Sequence, residues 1–282
     1  MLIPEPDGQY AGVASVGDRV WTTHHHHGVL TVRDALSREV VRELEPAAPP
    51  HDIVAAPDGS WLAARCGDGV ARIWDLPSGR LRQALEGQHH RCLTRAQDGS
   101  WIAAATGDRT VRLWDTEYGM PRAEFSVVSP VNHMTATPDG TSLVLACADG
   151  RVRVRNLRAG ARSRPLEGTT VMQMWSVSAS PDGSLYTGAA IARDVQLWDA
   201  ATGRRLRVLW GHSDHVRDVA FSPDGRWFAS SSYDATVRIW HPDAQDSAVR
   251  PLSEAPDSRL CWLPDSTGLC VIVAGRPVTV AV

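Results

Sequence analysis

The sequence predicts an all-β protein built as a ring of repeated blades, a β-propeller, and three observations carry the prediction. The tripeptide Pro-Asp-Gly recurs at 57–59, 138–140, 181–183 and 223–225, with Gln-Asp-Gly at 97–99 and Pro-Asp-Ser at 264–266. A tryptophan follows four of these turns at one fixed distance: Trp74, Trp114, Trp198 and Trp240. Between turn and tryptophan the residues alternate over strand lengths, turn residues separate the runs, and helical periodicity is absent. Short, evenly spaced strands with a recurring aromatic are the signature of radial repetition.

The fixed distance works as a ruler. It leads from Gly59 to Asp75, Gly99 to Asp115, Gly183 to Asp199 and Gly225 to His241. The same step finds degenerate copies, from Gly140 to Asn156, from Asp18 to Asp34 and from Ser266 to Val282. Seven units follow, and a single propeller spanning 1–282 is expected. Its third strands should end near 34, 75, 115, 156, 199, 241 and 282.

The elements follow in order within a unit, most clearly in the sixth. HVRDVAFS (215–222) alternates as a first strand and PDG turns the chain. RWFASSS (226–232) alternates as a second strand, YDAT turns, and TVRIW (236–240) is a β-branched, apolar third strand. The next residues before the following unit supply a fourth strand.

Taken whole, GHSDHVRDVAFSPDGRWFASSSYDATVRIW (211–240) resembles a WD repeat (WD40), and the pattern covers essentially the entire chain. The resemblance implies a seven-bladed propeller whose ring is closed by an N-terminal strand, here Met1 to Pro4. It also implies a buried polar tetrad, matched by His212, Ser230, Asp234 and Trp240, that clamps a blade rather than catalysing a reaction. Ser232 is an alternative for the hydroxyl. Other units keep only parts of it. Ala64 and Ala104 stand where the hydroxyl belongs, Arg155 replaces a tryptophan, and Ala192 replaces an aspartate.

Composition bounds the chemistry. The chain of 282 residues is 43% hydrophobic with a net charge near −3, so no polyanion-binding surface is expected. All 29 basic residues are arginine. That excludes phosphate-loop NTPase and Schiff-base chemistry and suggests a GC-rich bacterial genome. Five cysteines without CxxC spacing read as buried thiols in a reducing compartment. The N-terminus has neither a basic segment nor a long apolar run, and no stretch is long enough to span a bilayer. A cytoplasmic, monomeric protein without nucleic-acid or membrane partners is expected.

Residues His24 to His27 form an internal run of four histidines. The ruler places them at the second-to-third strand hairpin of blade one, with Thr23 at the Ser230 place and His27 at the Asp234 place. Ten of the eleven histidines map to one rim, His241 excepted. A metal site there would draw on His24, His26, His51 and His89. Strand alternation lets at most two neighbours share an ion, and no Cys or carboxylate cluster supports the set. A solvated, partner-contacting or pH-sensitive rim is the preferred reading.

Fold does not give function; sites do. The resemblance implies docking of partners on this rim, at three positions per blade. Carried over by alignment, one set is Tyr10, His51, Arg91, Asn132, Trp175, Arg217 and Ser258, and the others add His89, His215, His26 and Tyr233. Large aromatics, arginines and imidazoles are the composition of interaction hot spots. A non-enzymatic scaffold for a protein or peptide is therefore expected, acting as the sensor part of a larger bacterial signalling protein, with no cofactor. The alternative is a metal-binding or hydrolytic propeller using the histidine-rich rim. Against it, every conspicuous aspartate is explained as scaffold, and no GxSxG, HExxH or paired-carboxylate motif occurs.

Overall fold

The computed structural model describes residues 9–16, 19–26, 29–34, 37, 39–85, 90–158, 160–168, 172–244, 246–254, 256, 259–273 and 276–282. Their strands form seven antiparallel sheets, each running in chain order from an inner to an outer strand. The inner strands are Gln9–Val16, Pro50–Ala55, His90–Arg95, Val131–Ala136, Met174–Ala179, Val216–Phe221 and Cys261–Trp262. Residues from all seven line one axial channel, and the first sheet packs against the last. This is a β-propeller.

The expected ring of seven blades closed by an N-terminal strand is seen in part. Six sheets have four strands, and the last, made of Cys261–Trp262, Gly268–Val273 and Arg276–Ala281, has three. Met1 to Pro4, the segment expected to complete that sheet and close the ring, lies outside the described residues. Third strands end at Asp34, Asp75, Asp115, Asn156, Asp199, Trp240 and Ala281, within one residue of the ruler throughout.

The recurring turn has a physical basis. Its aspartate accepts the backbone N–H two residues on, as Asp58 does from Ser60 at 2.9 Å and Asp182 from Ser184 at 3.0 Å. The residue between them must then take a left-handed backbone. Gly59 (φ 74°), Gly225 (φ 71°) and even Ser266 (φ 61°) all do, which is why glycine recurs there. The third strands behind these turns are largely buried, and their tryptophans fill the space between blades. Trp74, Trp114, Trp198 and Trp240 are fully buried. The second and third blades share one such core, with Ile73 and Leu85 of one against Leu93, Ile102 and Trp114 of the other.

Blade six carries the complete tetrad. His212 Nδ1 lies 2.9 Å from Asp234, and its Nε2 lies 2.8 Å from the Ser230 hydroxyl, which accepts Trp240 Nε1–H at 2.8 Å. Serine has one proton. Since its oxygen already accepts from Trp240, that proton goes to Nε2, and His212 is the neutral tautomer donating from Nδ1 to Asp234. Burial holds the imidazole below its ordinary range even though Asp234 pulls the other way. Ser232 is not the clamp residue, because its hydroxyl donates to the Asp214 carbonyl at 3.0 Å.

Blade two shows what the missing hydroxyl costs. With Ala64 in the serine place, Trp74 Nε1 is buried without a hydrogen-bond partner among the described residues. Restoring the acceptor by Ala64→Ser is expected to stabilise the protein by ~1 kcal/mol. The melting midpoint checks it: a rise of roughly 2 °C is expected, and a fall would show that the site lacks room for the oxygen.

Candidate functional site

Each inner strand is a sheet edge on the channel, so one row of its backbone N–H and C=O groups has no strand partner. Two features of the sequence deal with that edge. The first is a β-bulge near the start of the strand. The second is a polar side chain that reaches to the next blade.

The bulges coincide with the expected rim positions. Pairing between first and second strands skips one residue in blades two to six, and the skipped residues are His51, Arg91, Asn132, Trp175 and Arg217. A bulged residue leaves the alternation of the strand and its side chain is re-aimed. Arg91, Asn132, Trp175 and Arg217 line the channel opening. Tyr10 does not belong to the set. Blade one skips Ala11 instead, and Tyr10 pairs with His24. The same slip puts His24 opposite Thr31, the place Ser230 holds opposite Arg238, so Thr23 is not the clamp equivalent. The second-to-third strand hairpin of blade one is one residue shorter than the ruler allows, which shifts everything before it. His26 ends the second strand opposite Val29, at the Ser232 place rather than the expected Tyr233 place. His27, His89 and Ser258 lie outside the described residues, and for Tyr10, His24, His26 and His51 the structure describes the backbone alone.

Around the mouth the described side chains form one cluster. The edge of Trp175 meets Tyr233 with ring centroids 6.0 Å apart. Arg217 sits over the Tyr233 ring at 5.8 Å and donates to its hydroxyl at 3.4 Å. Across the opening Arg91 donates to Asn132 at 3.5 Å, and the Asn132 amide donates to the Met174 carbonyl at 2.9 Å. His215 stands aside from it, half exposed, its ring against the Ile191 carbonyl.

Deeper in the channel lies a network that the sequence reading did not single out. Asp218 accepts the Leu260 N–H at 2.7 Å, His133 Nδ1 accepts the Val177 N–H at 3.2 Å, and Ser176 accepts the Val219 N–H at 3.4 Å. Asp52 reaches the Leu93 N–H at 3.5 Å. In each case a side chain satisfies the exposed edge of the following blade. Arg259 binds two carboxylates, Asp218 at 3.3 Å and Asp52 at 3.8 Å. Burial pushes the Asp52 carboxyl up, against the pull of the Arg259 cation. Burial and the same cation hold His133 well below the ordinary imidazole range, so it is neutral. The signal was present in part: the residue after four of the rim positions is polar on an inner strand, Asp52, His133, Ser176 and Asp218, whereas Cys92 follows Arg91.

Ser176, His133 and Asp218 bring the three groups of a hydrolytic triad together, but in an arrangement that cannot serve as one. Ser176 is fully buried and gives its proton to Asp218, while His133 Nδ1 is occupied by a backbone N–H. A triad needs the serine proton on the imidazole and the imidazole oriented by the acid. The thiols are equally quiet. All five cysteines are buried and free, and burial pushes Cys92 up to about 12. Among the described residues no group of three His, Cys, Asp or Glu side chains is placed to hold a metal ion.

Comparison with known proteins follows the same repeat. The family model described as WD domain, G-beta repeat matches residues 41–75, 80–115 and 203–241. The chain is 30% identical over 191 residues to nuclear distribution protein PAC1 of Arthroderma benhamiae, covering 67% of this chain and 35% of that protein. It is 29% identical over 170 residues to WD repeat and SOCS box-containing protein 1 of Xenopus tropicalis, covering 51% and 39%. The periodic tryptophan protein 2 homolog of Schizosaccharomyces pombe is 32% identical over 123 residues, 43% of this chain and 14% of that protein. The chain thus spans well under half the length of these relatives. All three are from fungi or an animal and lend no support to the expected bacterial source.

Proposed function

Because this chain is a WD-repeat protein folded as a β-propeller, we propose that it is a non-enzymatic scaffold that seats a protein or peptide partner at the channel mouth. The observation that carries the reading is the coincidence of bulge and side chain. In five successive blades the one residue freed from strand pairing is His51, Arg91, Asn132, Trp175 or Arg217. Aromatics and arginines on a fixed framework lose little entropy on binding and supply most of the energy of protein interfaces. The half-exposed Trp175, Tyr233 and Arg217 cluster is the centre of the proposed footprint.

The test is affinity capture from the native lysate with the wild type and a Trp175→Ala/Arg217→Glu variant as baits. Loss of at least one specific protein from the variant, at an unchanged melting midpoint, is the expected result. Identical captured sets would place the interaction elsewhere on the propeller.

A further inference from the structure

We infer that the mouth of the channel takes an acidic peptide, with its carboxylates between Arg91 and Arg217 and its chain against Trp175. The inference rests on the scaffold reading above and adds the chemistry of the partner. Three observations support it.

The first is a charge contrast. The chain as a whole carries about −3, yet among the described residues the lining of the channel holds five arginines against two aspartates. The second is the place of those aspartates. Asp218 is spent within the wall on the Leu260 N–H, Ser176 and Arg259, and Asp52 on Arg259 and the Leu93 N–H. Neither carboxylate reaches the rim, so the arginines nearer the opening set the potential there. Arg91 is exposed, and Arg65 Nε has no hydrogen-bond partner among the described residues. Guanidinium groups suit carboxylates because the planar fork matches both oxygens. In a recess with low-dielectric walls the field of several like charges adds.

The third observation decides between a peptide and a small ion. The cavity measures about 750 Å³ and is open at the mouth, which is room for several side chains rather than one anion. Its wall places the Trp175 and Tyr233 rings directly beside Arg217. A carboxylate on Arg217 therefore brings the alkyl portion of its own chain against aromatic surface, a contact that inorganic anions cannot make.

The experiment uses the full chain, a fluorescein-labelled tetraglutamate peptide and a matched tetraglutamine peptide, read by anisotropy. Tetraglutamate is expected to bind, to weaken as salt is raised, and to lose at least tenfold in affinity in Arg91→Gln/Arg217→Gln. An Arg91→Lys/Arg217→Lys variant keeps the charge and is expected to retain most of the binding, which separates lost charge from lost structure. Equal binding of the two peptides, or binding indifferent to the glutamine pair, overturns the inference. So does complete displacement of bound tetraglutamate by an equimolar amount of inorganic phosphate, which would make the site a small-anion pocket. If the lysate partner depends on Trp175 and Arg217 but tetraglutamate fails, the scaffold reading stands and the acidic partner falls. If tetraglutamate binds and no captured protein depends on the mouth, the scaffold reading falls alone.

Discussion

Arg259→Gln is expected to destabilise the protein by roughly 2–3 kcal/mol at neutral pH. Its guanidinium is the counterion of Asp218, whose side chain is 3% exposed, and of Asp52, at 16%. Removing one member of a fully buried pair costs about 3–5 kcal/mol because the other charge stays behind. Arg259 is itself one-third exposed, and water screens part of the loss, hence the lower range. The deficit has a pH signature. Burial already holds Asp52 above its ordinary value, and without the cation it rises further, so the folded state binds its proton more tightly than the unfolded chain. The penalty is then complete above the folded pKa and shrinks as pH falls toward the ordinary carboxyl value of about 3.9. Thermal melts of wild type and variant between neutral pH and pH 5 measure it. A gap that widens on acidification would mean that Arg259 acts through something other than these carboxylates. Asp218→Asn, added to Arg259→Gln, is expected to recover part of the loss.

Ser230→Ala is expected to cost about 2–4 kcal/mol, far beyond the value of one hydroxyl. It strands two buried groups at once, Trp240 Nε1–H and His212 Nε2, and each orphan costs ~1–3 kcal/mol. The comparison with Ala64 is instructive, since that position lives with one orphan and has no histidine to strand. His212 adds a pH dependence. Its folded pKa is lowered by burial, so the unfolded chain takes a proton that the folded chain resists. Its contribution is whole above the ordinary imidazole value of about 6.5 and is lost as pH falls below it toward the folded value. A His212→Gln variant, weaker at neutral pH, is expected to lose less on moving to pH 5 than the wild type does. Parallel losses in the two proteins would remove His212 from the account.

The scaffold was legible because repetition aligns a chain against itself. The ruler from Gly225 to His241 gave the third strands within a residue, and the blade-six tetrad was named residue for residue. Arg91, Asn132, Trp175 and Arg217 reached the mouth for the same reason. The failures sit where the repeat is degenerate. Blade one has no Pro-Asp-Gly at its ruler mark, so nothing fixed the length of its histidine hairpin, and Tyr10 was displaced by one place. The channel network was missed for a different cause. That Asp218 meets Leu260 depends on which edge faces which neighbour at the axis, and no local period records it. A polar residue recurring at a buried strand position was the available clue.

The reach of Asp52, His133, Ser176 and Asp218 has one sense: each caps the blade that comes next in the chain. The blades are therefore not interchangeable parts. Exchanging two of them would leave an amide facing an apolar residue and a carboxylate facing nothing, although each unit kept its own strands and turn. Cutting the chain at a different loop and joining the old ends with a linker would preserve every cap, because all neighbours remain neighbours. Order is written into the channel; the starting point is not.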